Sequence, residues 1–317
     1  LSRARYRRRR RPCGCSSSRS FREGRQLPVE ALNPSGALEY ARRHGLHALI
    51  IERDGENAVE TYDGGFDSGK PHAIYSGTKS FWGIAAAAAQ DDGLLTLDEP
   101  VGETVAEWKS DARKRRVTLR MLLSLTSGIA FGGLGNAVPT FEAALQKDVR
   151  DEPASTFTYG GVPLQVFGAV LSRKLRSKAL TPQAYLHERI LEPAGVRIAS
   201  WRRLKDGSQP LPTGVFLTAR DWLTYGRFVA GGARAAGRPV VSAPSLAECF
   251  RGSSANPRYG LGWWLDPLAG LPDTAYASGS GGQALYIVPA HNCVAVHFGK
   301  SGSWRHEAFL KRLFPGS

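Results

Sequence analysis

Tyr75-Ser76-Gly77-Thr78-Lys79-Ser80-Phe81 runs into Trp82-Gly83-Ile84 and five consecutive alanines, Ala85 to Ala89, before Asp91 and Gly93 close the stretch. A run with so little polar surface predicts a buried helix that stops at Gly93. At its start, Ser76 and Lys79 stand three residues apart, which puts both side chains on one helical face about a turn apart. A serine hydroxyl is a poor nucleophile until a base takes its proton. A lysine held in a desolvated site can lose its own proton and act as that base. The start of a helix also favours developing negative charge. Ser-x-x-Lys alone is a common chance pattern, and a capping serine beside a surface lysine is the competing reading.

Working outward, Asn33-Pro34 supplies an N-cap and a first-turn proline for a helix over about 34–44, ended by Gly45. Short apolar runs at 46–52 and 58–62 flank Asp54-Gly55, a hairpin signal. Helical pieces broken by Gly and Pro follow: 117–125, 162–176, 182–191 and 219–230. Beyond residue 258 the pattern changes to strands at 260–265, 284–288 and 294–298, then a closing helix at 303–313. No internal repeat is evident. Strands at both ends and helices between predict an α+β fold. An antiparallel sheet would form from the terminal strands, flanked by helices, with an inserted helical domain and a cleft between the two. The expected division is an Arg-rich tail at 1–27 and a domain at 28–317. Within that domain the α/β part covers about 28–99 and 231–317, and the helical part about 100–230.

The 317 residues are 42% apolar, enough for a large core, so a wholly disordered chain is excluded. The longest small-apolar run, 84–89, is far short of the roughly 20 residues a membrane-spanning helix needs. The formal charge is +14, but residues 1–25 hold ten arginines against Glu23 and so carry +9 of it. The body of the chain is only mildly basic. The stretch from Arg7 through the serine run at 16–18 has no large apolar residue to bury, and the tail is expected to be disordered. It could bind polyanions or an anionic membrane, be the basic part of an export signal, or be upstream sequence without a role. The export reading lacks the apolar segment such signals need, and Cys13 and Cys15 follow no apolar run that would suggest lipidation. No specific nucleic-acid partner is expected, and the compartment stays open. Cys249 and Cys293 are isolated, the latter in a strand-like run that suits a small core residue. His44 and His47 straddle Gly45, and no metal-ligand spacing emerges. No metal or organic cofactor is expected.

Context sharpens the Ser76–Lys79 pair. Ser76-Gly77-Thr78-Lys79 is followed in order by Leu95-Thr96-Leu97-Asp98-Glu99-Pro100-Val101 and by Leu119-Arg120-Met121-Leu122-Leu123-Ser124-Leu125-Thr126-Ser127-Gly128. Thr218-Ala219-Arg220-Asp221 and Tyr259-Gly260-Leu261-Gly262-Trp263 come after them. In this succession the chain resembles the penicillin-recognising serine hydrolases over most of residues 30–317. That family includes class C β-lactamases, serine D-alanyl-D-alanine carboxypeptidases, and related esterases and 6-aminohexanoate-dimer hydrolases. The resemblance implies a β-lactamase/transpeptidase-like fold and an acyl-enzyme at Ser76, with Lys79 and Tyr159 sharing the base role.

Two family elements are altered. The Tyr-x-Asn element reads Tyr159-Gly160-Gly161, so Gly161 replaces an asparagine amide. The Lys-Thr-Gly or His-x-Gly element is assigned to Ser280-Gly281-Gly282-Gln283, which lacks the cation that grips a substrate carboxylate. By resemblance the amides of Ser76 and Gln283 hold the oxyanion, and Gly281 and Gly282 let substrate approach the strand. These departures point to an esterase or amidase acting on a small-molecule ester or amide rather than to an efficient β-lactamase. A catalytically weak binding protein on the same fold is the alternative, and a polyanion binder driven by the tail is a third reading. Asp98 and Asp221 read as capping or pairing residues. Trp82, Trp263 and Trp264 read as core aromatics, one of which could line an acyl pocket.

Overall fold

A computed structural model of the chain describes residues 32–130, 132–133 and 137–317. The expected tail at 1–27, with Cys13 and Cys15, lies outside the described residues.

The helix at Pro34–Arg43 (α1) begins as its sequence requires. The Asn33 side chain accepts from the Gly36 amide at 3.0 Å, Pro34 occupies the first turn, and Gly45 beyond the end takes φ +70°. Strands Leu46–Arg53 (β1) and Glu56–Tyr62 (β2) form the expected hairpin. Asp54 and Gly55 both have positive φ, 54° and 83°, as a two-residue turn matched to strand twist demands. A small antiparallel sheet joins His72–Ala73 (β3), Ser200–Trp201 (β4) and Val215–Leu217 (β5) in the order β3-β5-β4. Arg234–Ala235 (β6) and Arg238–Pro239 (β7) pair locally. The main sheet is completed by Trp264–Leu265 (β8), Ala275–Gly279 (β9), Gln283–Val288 (β10) and Cys293–Gly299 (β11). Its order is β2-β1-β11-β10-β9-β8, with every pairing antiparallel.

The inner strands β10 and β11 are buried on both faces, which explains their unbroken apolar runs. Their side chains divide by the strand period of two. Leu49, Ile51, Ala284, Tyr286, Cys293 and Ala295 face a cluster with α1 and the closing helix His306–Leu313 (α9). Ile50, Leu285, Ile287, Val294, Val296 and Phe298 face the larger core.

That core centres on Ser80–Asp91 (α2), whose alanines 85–89 are wholly buried. Small residues are obligatory here: a Cβ added to Gly83 would lie 2.1 Å from the Leu261 carbonyl oxygen. Leu119–Leu123 (α3), Phe141–Leu145 (α4), Val162–Lys174 (α5) and Pro182–Leu186 (α6) build the helical part. Several predicted helices are shorter in the fold. Residues 187–191 follow α6 as a single wide π turn, and the expected 117–125 helix is confined to 119–123.

Ala219–Ala230 (α7), inside the stretch expected to be helical, packs on β1, β10 and β11 of the main sheet. Arg227 of α7 forms an ion pair with the buried carboxylate of Glu52 on β1. The nominally helical segment also contributes β4 and β5. Ala243–Glu248 (α8) covers α2. Among the described residues, no helix is long and apolar enough to cross a membrane.

Candidate active site

Ser76 lies on a five-residue 3-10 turn, Tyr75–Lys79, that feeds α2, rather than in the α-helix itself. The preceding Tyr75 adopts φ +46°, a left-handed conformation that is costly for a bulky residue and is held by its surroundings. Thr78 Oγ1 donates to the Tyr75 carbonyl at 2.7 Å, and Ser80 Oγ donates to that of Gly77 at 2.8 Å. Trp222 of α7 closes the turn from below. A Cβ on Gly77 would lie 2.7 Å from its ring, and the same indole stacks on Phe298 of β11. The turn is thereby bolted to the main sheet.

Lys79 is 1% exposed. Its Nζ donates to Ser76 Oγ at 3.0 Å and to the Pro212 carbonyl at 3.3 Å, and lies 4.8 Å from the Tyr159 ring centroid. Burial pushes its pKa down, because the ammonium form is the one that loses hydration, while the neighbouring Tyr159 hydroxyl pulls the other way. The neutral amine has a lone pair that can take the Ser76 proton along the same line.

Tyr159 stands in the loop before α5. Its ring stacks on Trp264 at 5.6 Å between centroids and meets Tyr259 edge-on at 6.2 Å. Two residues on, Gly161 caps α5, and its amide donates to the Gly132 carbonyl at 3.2 Å. A Cβ there would lie 2.0 Å from the Gly133 carbonyl oxygen. The loop backbone occupies the space a side chain would need.

The glycine-rich segment behaves differently from its assignment. Gly281 and Gly282, with φ 82° and 90°, form the turn between β9 and β10, and of this segment only Ser280 lines the cleft. Gln283 is 1% exposed and opens β10, an inner strand between β9 and β11. Its side chain donates to the carbonyls of Ser280 and Gly299 at 2.9 and 2.8 Å and accepts from the Gly299 amide at 2.9 Å. The Gln283 side chain thus ties the turn to β11 and is not among the cleft-lining groups.

The wall opposite the nucleophile is β9. It pairs with β8 only at Ala275 and Tyr276, so residues 277–279 leave an edge free to pack on the nucleophile turn. A Cβ on Gly279 would lie 2.1 Å from the Ile74 carbonyl oxygen. The cleft has a volume of about 620 Å³. It is lined by Tyr75, Ser76, Tyr159, Thr213, Trp264, Tyr276, Ser278, Gly279, Ser280 and His306. Lys79 underlies it, and none of the lining residues carries a fixed positive charge.

The structure therefore brings Ser76, Lys79, Tyr159 and Ser280 together, while the Gln283 side chain is turned into the sheet. Gly161 shapes the loop behind Tyr159. Sequence reasoning did not single out Thr213, Tyr276, Ser278, Gly279 or His306. Ser278-Gly279 carried a faint signal, one short step before the chosen segment. The strand holding it, Ala-Tyr-Ala-Ser-Gly, lacks the β-branched residues that mark strands.

Aspartates 98 and 221 lie away from the cleft. Asp98 takes two bonds from the Arg120 guanidinium, and Asp221 exchanges bonds with Thr218 at the start of α7. Trp82 and Trp263 are wholly buried, whereas Trp264 reaches the cleft. Cys249 and Cys293 are buried, and burial pushes both thiols up, the second to about 12.

A family model described as Beta-lactamase matches residues 37–311. A Bacillus anthracis structure assigned as a 6-aminohexanoate-dimer hydrolase superposes with a TM-score of 0.74 at 16% identity, covering 88% of this chain and 80% of that one. A D-stereospecific amidohydrolase from Streptomyces sp. gives 0.71 at 16% identity, over 90% and 99% of the two chains. EstCE1, a hydrolase with promiscuous acyltransferase activity, gives 0.70 at 17% identity, over 89% and 96%. No curated protein matches the sequence. At these identities the structural matches speak for the shared fold. With the family model spanning most of its length, this chain belongs to the β-lactamase family.

Proposed function

We propose that the protein hydrolyses a small ester or amide through an acyl-enzyme at Ser76. The observation that carries this reading is the 3.0 Å contact between Ser76 Oγ and the buried Nζ of Lys79 at the floor of an open cleft. Neutral Lys79 takes the hydroxyl proton as Oγ attacks the acyl carbon. Tyr159, over which the amine lies, supports the transfer and helps return the proton to the leaving group. The amide of Ser76 and that of Ser280, at the end of the free β9 edge, are assigned to the oxyanion. Ser280 is preferred to Gln283 for this role because it lines the cleft. Water then releases the acyl group.

The cleft lining supports an uncharged acyl substrate. Tyr75, Tyr159, Trp264 and Tyr276 offer aromatic surface, and no fixed cation among the lining residues stands ready for a substrate carboxylate. The filled space at position 161 likewise removes an amide that a β-lactam-directed site would use. The amidohydrolase, dimer-hydrolase and acyltransferase activities named for the structural relatives agree with acyl chemistry of this kind.

The test compares wild type with Ser76→Ala on p-nitrophenyl acetate, p-nitrophenyl butyrate and nitrocefin. We expect turnover of the esters, weaker turnover of nitrocefin, and loss of both in the variant by roughly 10⁴-fold or more. Nitrocefin turnover far above that of the esters would overturn the substrate preference. A correctly folded wild type that neither turns over nor labels with a fluorophosphonate probe would point to a binding protein instead.

A further inference from the structure

His306 opens α9 and lies on the cleft beside Ser278. Its Nε2 is 2.9 Å from Ser278 Oγ, and its Nδ1 is 2.7 Å from the Tyr286 hydroxyl. The indole Nε1 of Trp304 donates to that same hydroxyl at 3.1 Å. These contacts fix the direction of each proton. Trp304 Nε1 is a donor only, so the Tyr286 oxygen accepts from it. Tyr286 is wholly buried, and its own proton needs an acceptor. Among the described residues the acceptor in reach is His306 Nδ1. An imidazole that accepts at Nδ1 carries its proton at Nε2, so Nε2–H donates to Ser278 Oγ. Ser278 has no other partner among the described residues and lines the cleft, so its hydroxyl proton is left for a substrate.

We propose that Trp304, Tyr286 and His306 form a one-way hydrogen-bond relay that holds Ser278 as a dedicated donor in the cleft. It would select acyl substrates bearing an acceptor oxygen beyond the scissile carbonyl. The relay rests on the hydrolase reading of Ser76 and deepens it by naming a substrate feature. His306 is a positioning residue here, not a second base, because both of its nitrogens are engaged. Burial pushes its pKa down to about 4, which keeps the ring neutral at neutral pH. The titratable groups around it are Tyr286, the adjoining Tyr276 ring at 4.6 Å, Glu307 next in the chain, and the similarly neutral His297. Donor direction also separates this wall from the Ser76 wall, where the serine gives its proton to the base.

The experiment has two arms. In the first, ¹⁵N-histidine NMR of the whole protein reads the His306 tautomer. A proton on Nε2 is expected, becoming a mixture in Tyr286→Phe, and a proton on Nδ1 overturns the relay. In the second, kcat/KM is measured for p-nitrophenyl methoxyacetate and levulinate against butyrate and pentanoate, with Ser76 labelling as the control for an intact nucleophile. The oxygenated-to-plain ratio should fall about 3- to 10-fold in Ser278→Ala, mainly through KM, and in Tyr286→Phe and His306→Gln. Ser278→Thr should restore it. An unchanged ratio in Ser278→Ala, with Ser76 still labelling, overturns the donor role. A ratio that falls in Ser278→Ala but in neither relay variant overturns the relay. Wild type that does not label at Ser76 removes the hydrolase reading, and the substrate selection with it, whatever the tautomer.

Discussion

Lys79 and His306 are nitrogen bases on facing walls of one cleft, and burial pushes both toward the neutral form. Their surroundings assign them opposite work. Lys79 meets a serine hydroxyl and a backbone carbonyl, so its neutral lone pair is free to take a proton from Ser76. His306 meets a buried tyrosine that has a proton to give, so its lone pair is already filled and its other nitrogen donates. Desolvation sets the charge of a buried base, while the proton inventory of its neighbours sets whether it takes or gives.

The largest break in this comparison comes from the lysine wall. Lys79→Met should lower ester kcat/KM by roughly 10³-fold, because general-base catalysis at a weak nucleophile is lost. Urea unfolding should show equal or higher stability, since a buried amine is replaced by an apolar side chain of similar length. In wild type, kcat/KM should fall as pH drops through the lowered pKa of Lys79, which protonates the base. That acid limb should sit below the ordinary lysine range and vanish in the variant.

Next in size is the oxyanion assignment on the opposite wall. Ser280→Pro removes one backbone N–H and should reduce kcat by about 10²-fold with little change in KM. Gln283→Leu should instead act on stability, by about 1–3 kcal/mol through lost hydrogen bonds to the turn and β11. An unchanged kcat in Ser280→Pro would return the second oxyanion position to the backbone amide of Gln283, which Gln283→Leu leaves in place.

The junction between the walls is the glycine contact. Gly279→Ala should destabilise the protein by about 1–3 kcal/mol, read as a lower thermal midpoint, and should weaken Ser76 labelling by displacing the nucleophile turn.

The smallest effect is the pH dependence of stability. Burial pushes His297 down to about 3 and His306 to about 4, so both stay neutral in the folded state while the unfolded chain takes up protons near the usual histidine pKa. The unfolded state therefore binds more protons below about pH 6.5, and stability is lost as pH falls from there toward the folded values. The slope should be about 1 kcal/mol per pH unit per histidine. His306→Gln should flatten that slope.

The sequence by itself determined the elements whose signals are local. Asn33-Pro34 and Gly45 bracket α1, Asp54-Gly55 turns the β1–β2 hairpin, and the alanine run marks the buried α2 behind Ser76 and Lys79. Ordered motifs along the chain did the same for the family. Only the tertiary structure decided the opposite wall. The strand β9 is built from small residues because Gly279 must pass against the Ile74 carbonyl, and that requirement erases its strand signature. The resemblance gives Gln283 an oxyanion role through its backbone amide, and only the fold reveals that its side chain is used inside the sheet. His306 meets Ser278, Tyr286 and Trp304 only after α9 folds back on β10, so its role depends on contacts between segments distant in the chain. Spacing along the chain can announce a turn, a cap or a one-face pair, but the direction of a proton is set by which partners the fold brings within 3 Å.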